Sequence, residues 1–388
     1  MTARSSFILV FFISMEIPEE KVFMKLGVPK EKNSEESRVA ITPDIAKTLI
    51  STGLEVIVES GAGDRANFSD DMYIESGASI RDSLNTLSCD VVIKVTRPSL
   101  SEVDAMIEGG IFIGLMEYCK NEDLNQKMAD KNISVIALEK IPRISRAQSM
   151  DVLSSQANIA GYRAVIEAAS HFGRFVPMMM TSAGSAKPAK VVVLGAGVAG
   201  LQAIATARRL GGDVYAYDVR PETKEQIESL GAKAIFLDIG DTGSGDGGYA
   251  KELSEDIKKQ QQKLLAEEIS RASIVISTAL IPCRPAPELI TEEMVMSMRR
   301  GSVIVDMAAG SGGNCKLSEP NNIVEKHGVL LIGHTNYPSL MPTDASSFFA
   351  KNIANLLSIV IDSSGDTLKV NNLDDDEITS AAQIKISS

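Results

Sequence analysis

Several residue types that commonly mark a reactive site are scarce in this chain of 388 residues. There is no tryptophan, and there are only three histidines and four cysteines. The cysteines lie far apart without a C-x-x-C pair, so a zinc site or a redox dithiol is not indicated. We expect buried, reduced thiols, as in most cytosolic proteins. The cysteines are Cys89, Cys119, Cys283 and Cys315, and the histidines are His171, His327 and His334.

An excess of basic residues and long apolar runs are also absent. The chain has 51 acidic and 39 basic residues, a formal net charge of −12, which argues against a broad cationic surface for nucleic acid or anionic lipid. No window of about 18 apolar residues occurs, so no transmembrane helix is predicted. Hydrophobic residues make up 44% of the chain, enough for globular cores, and the length favours two domains.

The first 23 residues form an extension with two interpretations. Residues 7–15 read FILVFFISM behind Arg4, which is similar to a secretory signal, but no small-x-small cleavage site follows and the segment runs into charged residues 16–21. The alternative is a misassigned start, with translation beginning at Met24, where MKLGVPKE opens a strand-and-turn pattern. We favour the second interpretation and place residues 1–23 outside the predicted fold.

The alternation of short apolar runs with amphipathic stretches predicts the fold class. From Met24 to about Ile141, and again from Val191 onward, strand-like runs alternate with helical spacing, which is typical of parallel sheets covered by helices. The sequence therefore predicts an α/β protein with two Rossmann-like, doubly wound domains and mainly parallel sheets. The predicted strands are Leu54–Glu59, Val91–Val95, Ile111–Leu115, Val191–Leu194, Val214–Tyr217, Ala234–Leu237, Ile274–Thr278, Val303–Asp306 and Val329–Gly333.

Two amphipathic helices indicate how the domains connect. A helix over Asp151–Phe172 is predicted to cross into the second domain, and a helix over Phe348–Val360 is predicted to return to the first. An acidic, weakly patterned tail begins at Leu373–Asp376. The predicted boundaries are residues 24–150 plus 345–380 for the N-terminal domain and residues 151–344 for the nucleotide-binding domain.

The strongest motif is a G-x-G-x-x-G sequence between a predicted strand and a predicted helix. It reads Gly195-Ala196-Gly197-Val198-Ala199-Gly200 and follows VVVL directly. In such a motif the first glycine allows a tight turn, the second lets a pyrophosphate approach the backbone, and the third lets helix and strand pack closely. Free amides at the helix start then meet the phosphate charge. This context predicts a dinucleotide site in the second domain.

An acidic residue at the end of the next strand indicates which nucleotide binds. Asp218 closes YAYD, and a carboxylate at that place accepts hydrogen bonds from ribose hydroxyls and repels a 2′-phosphate. We therefore expect NAD(H) rather than NADP(H). Arg220, two positions later, is the one feature that points the other way.

Two further segments each keep two interpretations at this point. Residues 240–249 (GDTGSGDGGY) contain five glycines, which suits either a lid that carries Tyr249 to the cofactor or a solvated connector. Residues 143–154 (RISRAQSMDVLS) place a guanidinium, an amide, a carboxylate and a hydroxyl just before the long helix. They suit either a ligand cleft at a domain junction or a helix cap formed by Ser149 or Asp151.

Several sequence blocks together are similar to one family. These blocks are KLGVPKE, ESRVAITP, RISRAQSMDVLSSQANIAGYRAVI, GAGVAG, DVRPE, GGYAKE, TALIP, GSVIVDMA and GHTNYPS. From about Met24 to Val360 the chain resembles the NAD(H)-binding alpha subunit of proton-translocating NAD(P) transhydrogenase. The RISRAQSMD block is the most specific part of the resemblance, because G-x-G-x-x-G occurs in many dehydrogenases.

The resemblance implies an activity, partners and site residues. Hydride would pass between NADH bound here and NADP⁺ on a partner subunit, coupled to proton translocation across the membrane. The chain would be a homodimer bound to a membrane-spanning subunit and an NADP(H)-binding beta subunit, peripheral on the cytoplasmic side of the inner membrane. The residues around the nicotinamide would be Arg143, Gln148, Asp151 and Ser154. The other cofactor contacts would be Gly195, Gly197, Val198, Ala199, Gly200, Asp218, Arg220, Gly248, Tyr249, Gln261 and Leu280, with no metal site.

Two alternatives remain open. The chain also looks similar to alanine dehydrogenase, where an arginine and a lysine matching Arg38 and Lys94 hold the substrate. The segment Gly114–Lys120 (GLMEYCK) lacks the histidine that completes that pocket, so a keto-acid site here would have no proton donor. The second alternative is a non-catalytic NAD-binding regulatory module, which would have no need of the polar RISRAQSMD block.

Overall fold

A computed structural model of the chain describes residues 24–236, 255–365 and 367–385. The extension of residues 1–23 and the glycine-rich segment 240–249, with Gly248 and Tyr249, lie outside the described residues. So does Leu237, the last residue of one predicted strand. The rest forms two lobes, each built on one sheet.

The first lobe is a sheet of six parallel strands in the order β3-β2-β1-β4-β5-β6. Alternate strand residues face opposite sides, so that Val91 and Ile111 pack in one core while Val92 and Phe112 pack in the other. The elements are β1 Lys25–Val28, α1 Pro43–Ser51, β2 Glu55–Glu59, α2 Asp70–Glu75, β3 Ser79–Arg81, α3 Ser83–Leu87, β4 Val91–Thr96, α4 Leu100–Ala105, β5 Ile111–Leu115, α5 Glu122–Asp130 and β6 Ser134–Ala137.

A single helix, α6 at Val152–His171, leads out of the first lobe. It follows a 3₁₀ helix at Ser145–Met150, and the Asp151 side chain caps it by accepting the Ser154 backbone N–H at 2.9 Å. The predicted helix over Asp151–Phe172 thus differs from α6 only by its two capping residues.

The second lobe is a seven-stranded sheet in the order β11-β10-β9-β12-β13-β15-β14. Its neighbouring strands are parallel except for the edge pair of β14 and β15. A separate hairpin, β7 with β8, precedes it. The elements are β7 Met179–Thr181, β8 Gly184–Ala186, β9 Lys190–Leu194, α7 Val198–Arg209, β10 Asp213–Tyr217, α8 Thr223–Ser229, β11 Lys233–Ile235, α9 Glu255–Ser270, β12 Ile274–Ser277, α10 Glu292–Ser297, β13 Val303–Asp306, β14 Ile323–Lys326 and β15 Val329–Ile332. The predicted fold class, two doubly wound and mainly parallel sheets, is confirmed.

The C-terminal region of the chain returns to the first lobe. Helix α11, Pro342–Val360, buries Phe349 and Ile353 in the core of that lobe. The remaining elements are β16 Ile361–Asp362, β17 Lys369–Val370 and α12 Glu377–Ala382.

The tail is more ordered than its weak pattern indicates. Ile378 and Ala382 on α12 are fully buried, and the Ile384 backbone N–H donates to the Val135 carbonyl at 3.1 Å, beside the edge strand β6. Only Ile378, Ala381 and Ala382 are apolar in this helix, and such a short pattern does not distinguish a docked helix from a solvated tail.

The expectation of four buried thiols is wrong for two of the cysteines. Cys119 and Cys283 are exposed and joined by a disulfide, with their Cα atoms 5.7 Å apart, whereas Cys89 and Cys315 are free and buried. Because 164 positions separate the two partners, only the arrangement of the lobes brings them together. Within the described ranges, no helix is long and apolar enough to cross a bilayer.

Candidate functional site

The glycine-rich turn lies where β9 ends and α7 begins. Gly195 has φ +97°, a conformation that favours glycine, and a Cβ on Gly200 would lie 1.9 Å from the Gly195 carbonyl oxygen. Gly197 is the residue before α7, and a Cβ built on it would meet no atom within 4 Å. The first and third glycines are therefore required by the turn itself, whereas the second borders open space at a helix N-terminus, where a pyrophosphate would fit.

Two residues that the sequence interpretation missed hold this turn. A Cβ on Gly161 of α6 would lie 2.1 Å from the Ala199 carbonyl oxygen, so α6 packs directly against the turn. The Thr278 hydroxyl lies 3.3 Å from the Leu194 carbonyl oxygen and 3.2 Å from that of Gly195, and can donate to either. A glycine in the middle of a helix costs about 1 kcal/mol relative to alanine, which is a sequence signal for a close contact of this kind.

Asp218 lies directly after β10, and its carboxylate is fully engaged. Oδ2 accepts the Ala196 backbone N–H at 2.7 Å and a guanidinium N–H of Arg220 at 2.8 Å. Oδ1 accepts the Arg220 backbone N–H and its Nε–H, both at 2.9 Å. Four donors match the acceptor capacity of a carboxylate. A ribose hydroxyl can therefore bind Asp218 only if Arg220 shifts. The sequence predicted that Asp218 and Arg220 favour different nucleotides, but in the structure the two side chains form an ion pair.

The other predicted cofactor contacts on the second lobe differ in exposure. Gln261 on α9 is buried, and its amide donates to the hydroxyl of Tyr217 at 3.2 Å. Tyr217 is the residue directly before Asp218. Burial raises the pKa of Tyr217 to about 12, so this hydroxyl stays protonated. Val198 and Leu280 are 42% and 46% exposed, after β9 and β12 respectively. Tyr217, Val198 and Leu280 lie at or just after the carboxyl ends of strands, and Gln261 contacts Tyr217. Doubly wound sheets bind ligands at this edge.

The polar segment before α6 has a buried side and an exposed side. Ala147 and Met150 pack into the core of the first lobe, which leaves Arg143 and Gln148 exposed. Asp151 Oδ2 accepts the Ser154 hydroxyl proton at 2.6 Å, in addition to the N–H bond of the cap. The cap interpretation is confirmed for Asp151, whereas the ligand-cleft interpretation of this segment stays a prediction.

Helix α11 holds the polar segment in place. Asn352 and Asn355 donate side-chain N–H groups to the Ser149 carbonyl at 2.7 and 3.0 Å. Ser155 on α6 donates its hydroxyl to Asn352 Oδ1 at 2.7 Å. These bonds fix the backbone on either side of Asp151, which suits a site whose groups must orient a ligand.

Arg38, which the resemblance to alanine dehydrogenase would match to a substrate-binding arginine, is buried and paired. Arg38 is 6% exposed and binds both carboxylate oxygens of Glu36, at 2.7 and 2.6 Å, while its remaining Nη donates to Gln156 of α6 at 2.8 Å. Burial opposes the ionisation of Glu36, but Arg38 and the hydroxyl of Ser339 hold the pKa of Glu36 below its usual range.

Lys94, which the same resemblance would match to a substrate-binding lysine, is also buried and paired. Lys94 is 1% exposed, with Nζ 2.9 Å from Glu102 Oε1 and 3.9 Å from Glu31 Oε2. Two carboxylates of its own lobe therefore compensate its charge. Neither buried cation presents an uncompensated charge to a substrate carboxylate.

Comparisons with known proteins agree on one family. The model of the alanine dehydrogenase/PNT N-terminal domain matches residues 27–160, and that of the alanine dehydrogenase/PNT C-terminal domain matches residues 164–386. A relative from Rhodospirillum rubrum, the first part of its NAD(P) transhydrogenase subunit alpha, is 50% identical over 365 residues. These residues cover 92% of this chain and 95% of that protein.

A solved structure and a more distant relative extend this result. The crystal structure of transhydrogenase from Sinorhizobium meliloti superposes with a TM-score of 0.84 at 43% identity, covering 92% of this chain and 97% of that one. Alanine dehydrogenase 1 of Staphylococcus aureus is 30% identical over 347 residues, 87% of each chain.

Proposed function

Because the chain belongs to the NAD(P) transhydrogenase alpha-subunit family, we propose that it holds NAD(H) and exchanges hydride with NADP(H) held on a partner subunit. The observation that carries this proposal is the course of α6. Gly161 of this helix packs on the glycine turn, and Ser154 and Asp151 lie at its start, roughly 10 and 15 Å away at 1.5 Å per residue. The same helix thus fixes the distance between the positions expected for the pyrophosphate and for the nicotinamide.

The polar groups at the start of α6 suit hydride transfer. The nicotinamide cofactors supply the chemistry, since hydride moves with its electron pair from one ring to another. Residues of this chain need only orient a ring and exclude water. Asp151, held by Ser154, provides a fixed acceptor for such orientation, and the exposed amide of Gln148 provides a donor and an acceptor beside it.

The proposal is tested by mixing the chain with an NADP(H)-binding partner component. We expect NADPH to reduce an NAD⁺ analogue with a distinct absorbance only when both proteins are present. The same preparation should not oxidise L-alanine with NAD⁺. Analogue reduction by this chain alone, or activity with L-alanine, would contradict the proposal.

The paired cations weigh against the alanine dehydrogenase alternative. Under that alternative Arg38 and Lys94 bind the substrate carboxylate and carbonyl, but Glu36 and Glu102 already occupy both cations. Separating either pair inside the protein leaves a buried, unpaired charge, which costs several kcal/mol. A small amino acid has too few contacts to offset that cost twice.

The same proposal includes an assembly. We place a homodimer of this chain on the cytoplasmic side of the inner membrane, bound to a membrane-spanning subunit that couples hydride transfer to proton translocation, and to an NADP(H)-binding beta subunit. The name of the R. rubrum relative describes one portion of a divided alpha subunit, which supports an assembly of several chains.

An exposed apolar segment before and within the β7–β8 hairpin supports the homodimer. Phe175, Met178 and Met180 are 57%, 62% and 75% exposed, and every residue of β7 is exposed. A two-stranded hairpin is marginally stable alone, and contiguous apolar surface marks interfaces. We therefore assign this segment, residues 175–186, to the contact between two copies.

Replacing Met180 by aspartate is expected to weaken the homodimer. A charge in an apolar contact costs about 2 kcal/mol or more, roughly thirtyfold in Kd. Sedimentation velocity at micromolar concentration should then show a monomer. Leu84→Asp is the matched control, since Leu84 is 64% exposed on α3 of the first lobe. Equal dissociation in both variants, or in neither, would argue against the hairpin contact.

A further inference from the structure

The two lobes are joined by a covalent bond between segments that follow sheet strands. Cys119 lies after β5 of the first lobe, and Cys283 lies after β12 of the second. The carboxyl edges of the two sheets therefore face each other, and we call the space between them the interlobe cleft. Polar contacts between Glu36 and Ser339, 2.7 Å apart, also join the lobes.

Exposure distinguishes the bonded cysteines from the two free ones. Cys119 and Cys283 are exposed, so that a dissolved thiol or disulfide can reach either sulfur. Cys89 and Cys315 are buried, and burial raises the pKa of the Cys89 thiol to about 12. Because thiol–disulfide exchange needs an accessible thiolate, the buried pair cannot take part in it. The chain thus has one exchangeable pair and two inert thiols.

The segment that carries Cys283, residues 279–287, is bound at both ends, and Cys283 lies exposed between them. Asn314 donates one amide N–H to the Ala279 carbonyl at 2.9 Å and the other to the Pro287 carbonyl at 2.8 Å. Cys283 lies between these two points and three residues after Leu280, which is expected to contact the cofactor. On the first lobe, a groove of about 520 Å³ borders Cys119 and is lined by Arg97, Ser99, Lys120, Asn121 and Glu122 among others. The bond therefore ties the tip of a predicted cofactor-contacting segment to the opposite lobe.

We propose that Cys119 and Cys283 form a reversible redox latch across the interlobe cleft, which slows the exchange of NAD(H) when it is closed. The inference rests on the proposed function, because it assumes that NAD(H) enters this cleft. To form the latch, both thiols lose a proton, and their two electrons pass to a low-molecular-weight disulfide, which is cleaved to two thiols. A dithiol reverses the reaction and becomes a disulfide itself.

The latch is first tested by counting thiols without any nucleotide. After incubation of the full chain with oxidised glutathione, thiol titration in denaturant should find two free thiols, and after treatment with dithiothreitol it should find four. Mass spectrometry of the oxidised protein should show one cross-linked peptide pair, containing Cys119 and Cys283. Four free thiols under both conditions would overturn the proposal.

The effect on the cofactor is tested by the dissociation rate of NADH, followed by stopped-flow fluorescence. We expect dissociation to be about tenfold slower from the oxidised protein, equal to ~1.4 kcal/mol of barrier. NADH should dissociate rapidly from Cys119→Ser and from Cys283→Ser under both conditions. The Cys89→Ser variant should keep the difference in NADH dissociation rate between the oxidised and the reduced protein. The two single variants serve as checks on each other if one folds poorly.

The outcomes separate the latch from the proposed function. Equal NADH dissociation rates in the oxidised and reduced wild-type protein would overturn the latch while leaving the cofactor assignment intact. A protein that forms the disulfide but binds no NADH in either state would contradict the proposed function. Amide exchange of residues 279–287, slower in the oxidised protein, gives a readout of the closed latch that does not depend on nucleotide.

Discussion

Asp151→Asn is expected to slow hydride transfer about a hundredfold while the affinity for NADH changes by less than tenfold. Asparagine caps a helix about as well as aspartate, so the start of α6 and its bond to the Ser154 backbone should be kept. The substitution removes the negative charge of Asp151 and one oxygen that can accept the Ser154 hydroxyl proton. Any group that Asp151 and Ser154 orient together should therefore shift. Single-turnover hydride transfer and an NADH titration measure the two quantities separately.

The matched control is Asp82→Asn, at another helix cap of the same lobe. Asp82 accepts the Asn85 backbone N–H at 2.9 Å at the start of α3, and should tolerate the change with no effect on hydride transfer. Gln148→Asn, which shortens an exposed side chain, should behave like Asp151→Asn. If NADH affinity and hydride transfer fall by the same factor in Asp151→Asn, the residue binds cofactor uniformly and has no orienting role.

Asp218→Ala should weaken NADH binding roughly tenfold to a hundredfold, because a hydrogen bond to a charged group contributes about 1.5–3 kcal/mol. The substitution removes the predicted acceptor for ribose hydroxyls and also the hydrogen bond from the Ala196 N–H in the glycine turn. It releases Arg220 from its carboxylate partner, and a guanidinium is a strong ligand for a 2′-phosphate. We therefore expect NADPH to bind Asp218→Ala measurably, which equilibrium titrations with both nucleotides can detect.

The double variant Asp218→Ala with Arg220→Ala distinguishes two origins of this change. If Arg220 recognises the 2′-phosphate, the double variant should lose the gained affinity for NADPH and keep the weakened affinity for NADH. If both variants bind NADPH equally, the loss of repulsion by Asp218 alone explains the relaxation. An Asp218→Ala protein that still excludes NADPH would show that discrimination lies in other residues.

Local sequence patterns were sufficient for most of the sheet strands. Runs such as VVVL at β9 and IFIGL at β5 are buried on both faces in parallel sheets, so they form continuous apolar segments whatever their neighbours are. The G-x-G-x-x-G turn is equally local, since Gly195 and Gly200 are required by contacts within the turn itself. Helix α7 begins at Val198, so the last three residues of the motif already form its first turn.

Contacts between distant segments could not be predicted in the same way. Nothing near Gly161 in the sequence identifies Ala199 as its neighbour, and nothing near Arg38 shows that its guanidinium binds Gln156 of α6. Cys119 gives no local sign of its partner Cys283. Each of these contacts depends on how elements that are distant in the sequence pack in the folded chain.

The sequence alone therefore determined the class of each lobe and the position of the dinucleotide turn, because hydrophobic periodicity and glycine conformation act over a few residues. The tertiary structure decided which side chains are available. It placed Asp218 against Arg220, buried Arg38 and Lys94 beside carboxylates, docked α12 on the first lobe and joined two exposed cysteines. The docked helix and the disulfide join segments far apart in the chain, so local sequence patterns carry no record of them. Asp218 and Arg220 are only two positions apart, but whether their side chains meet depends on how the loop after β10 folds.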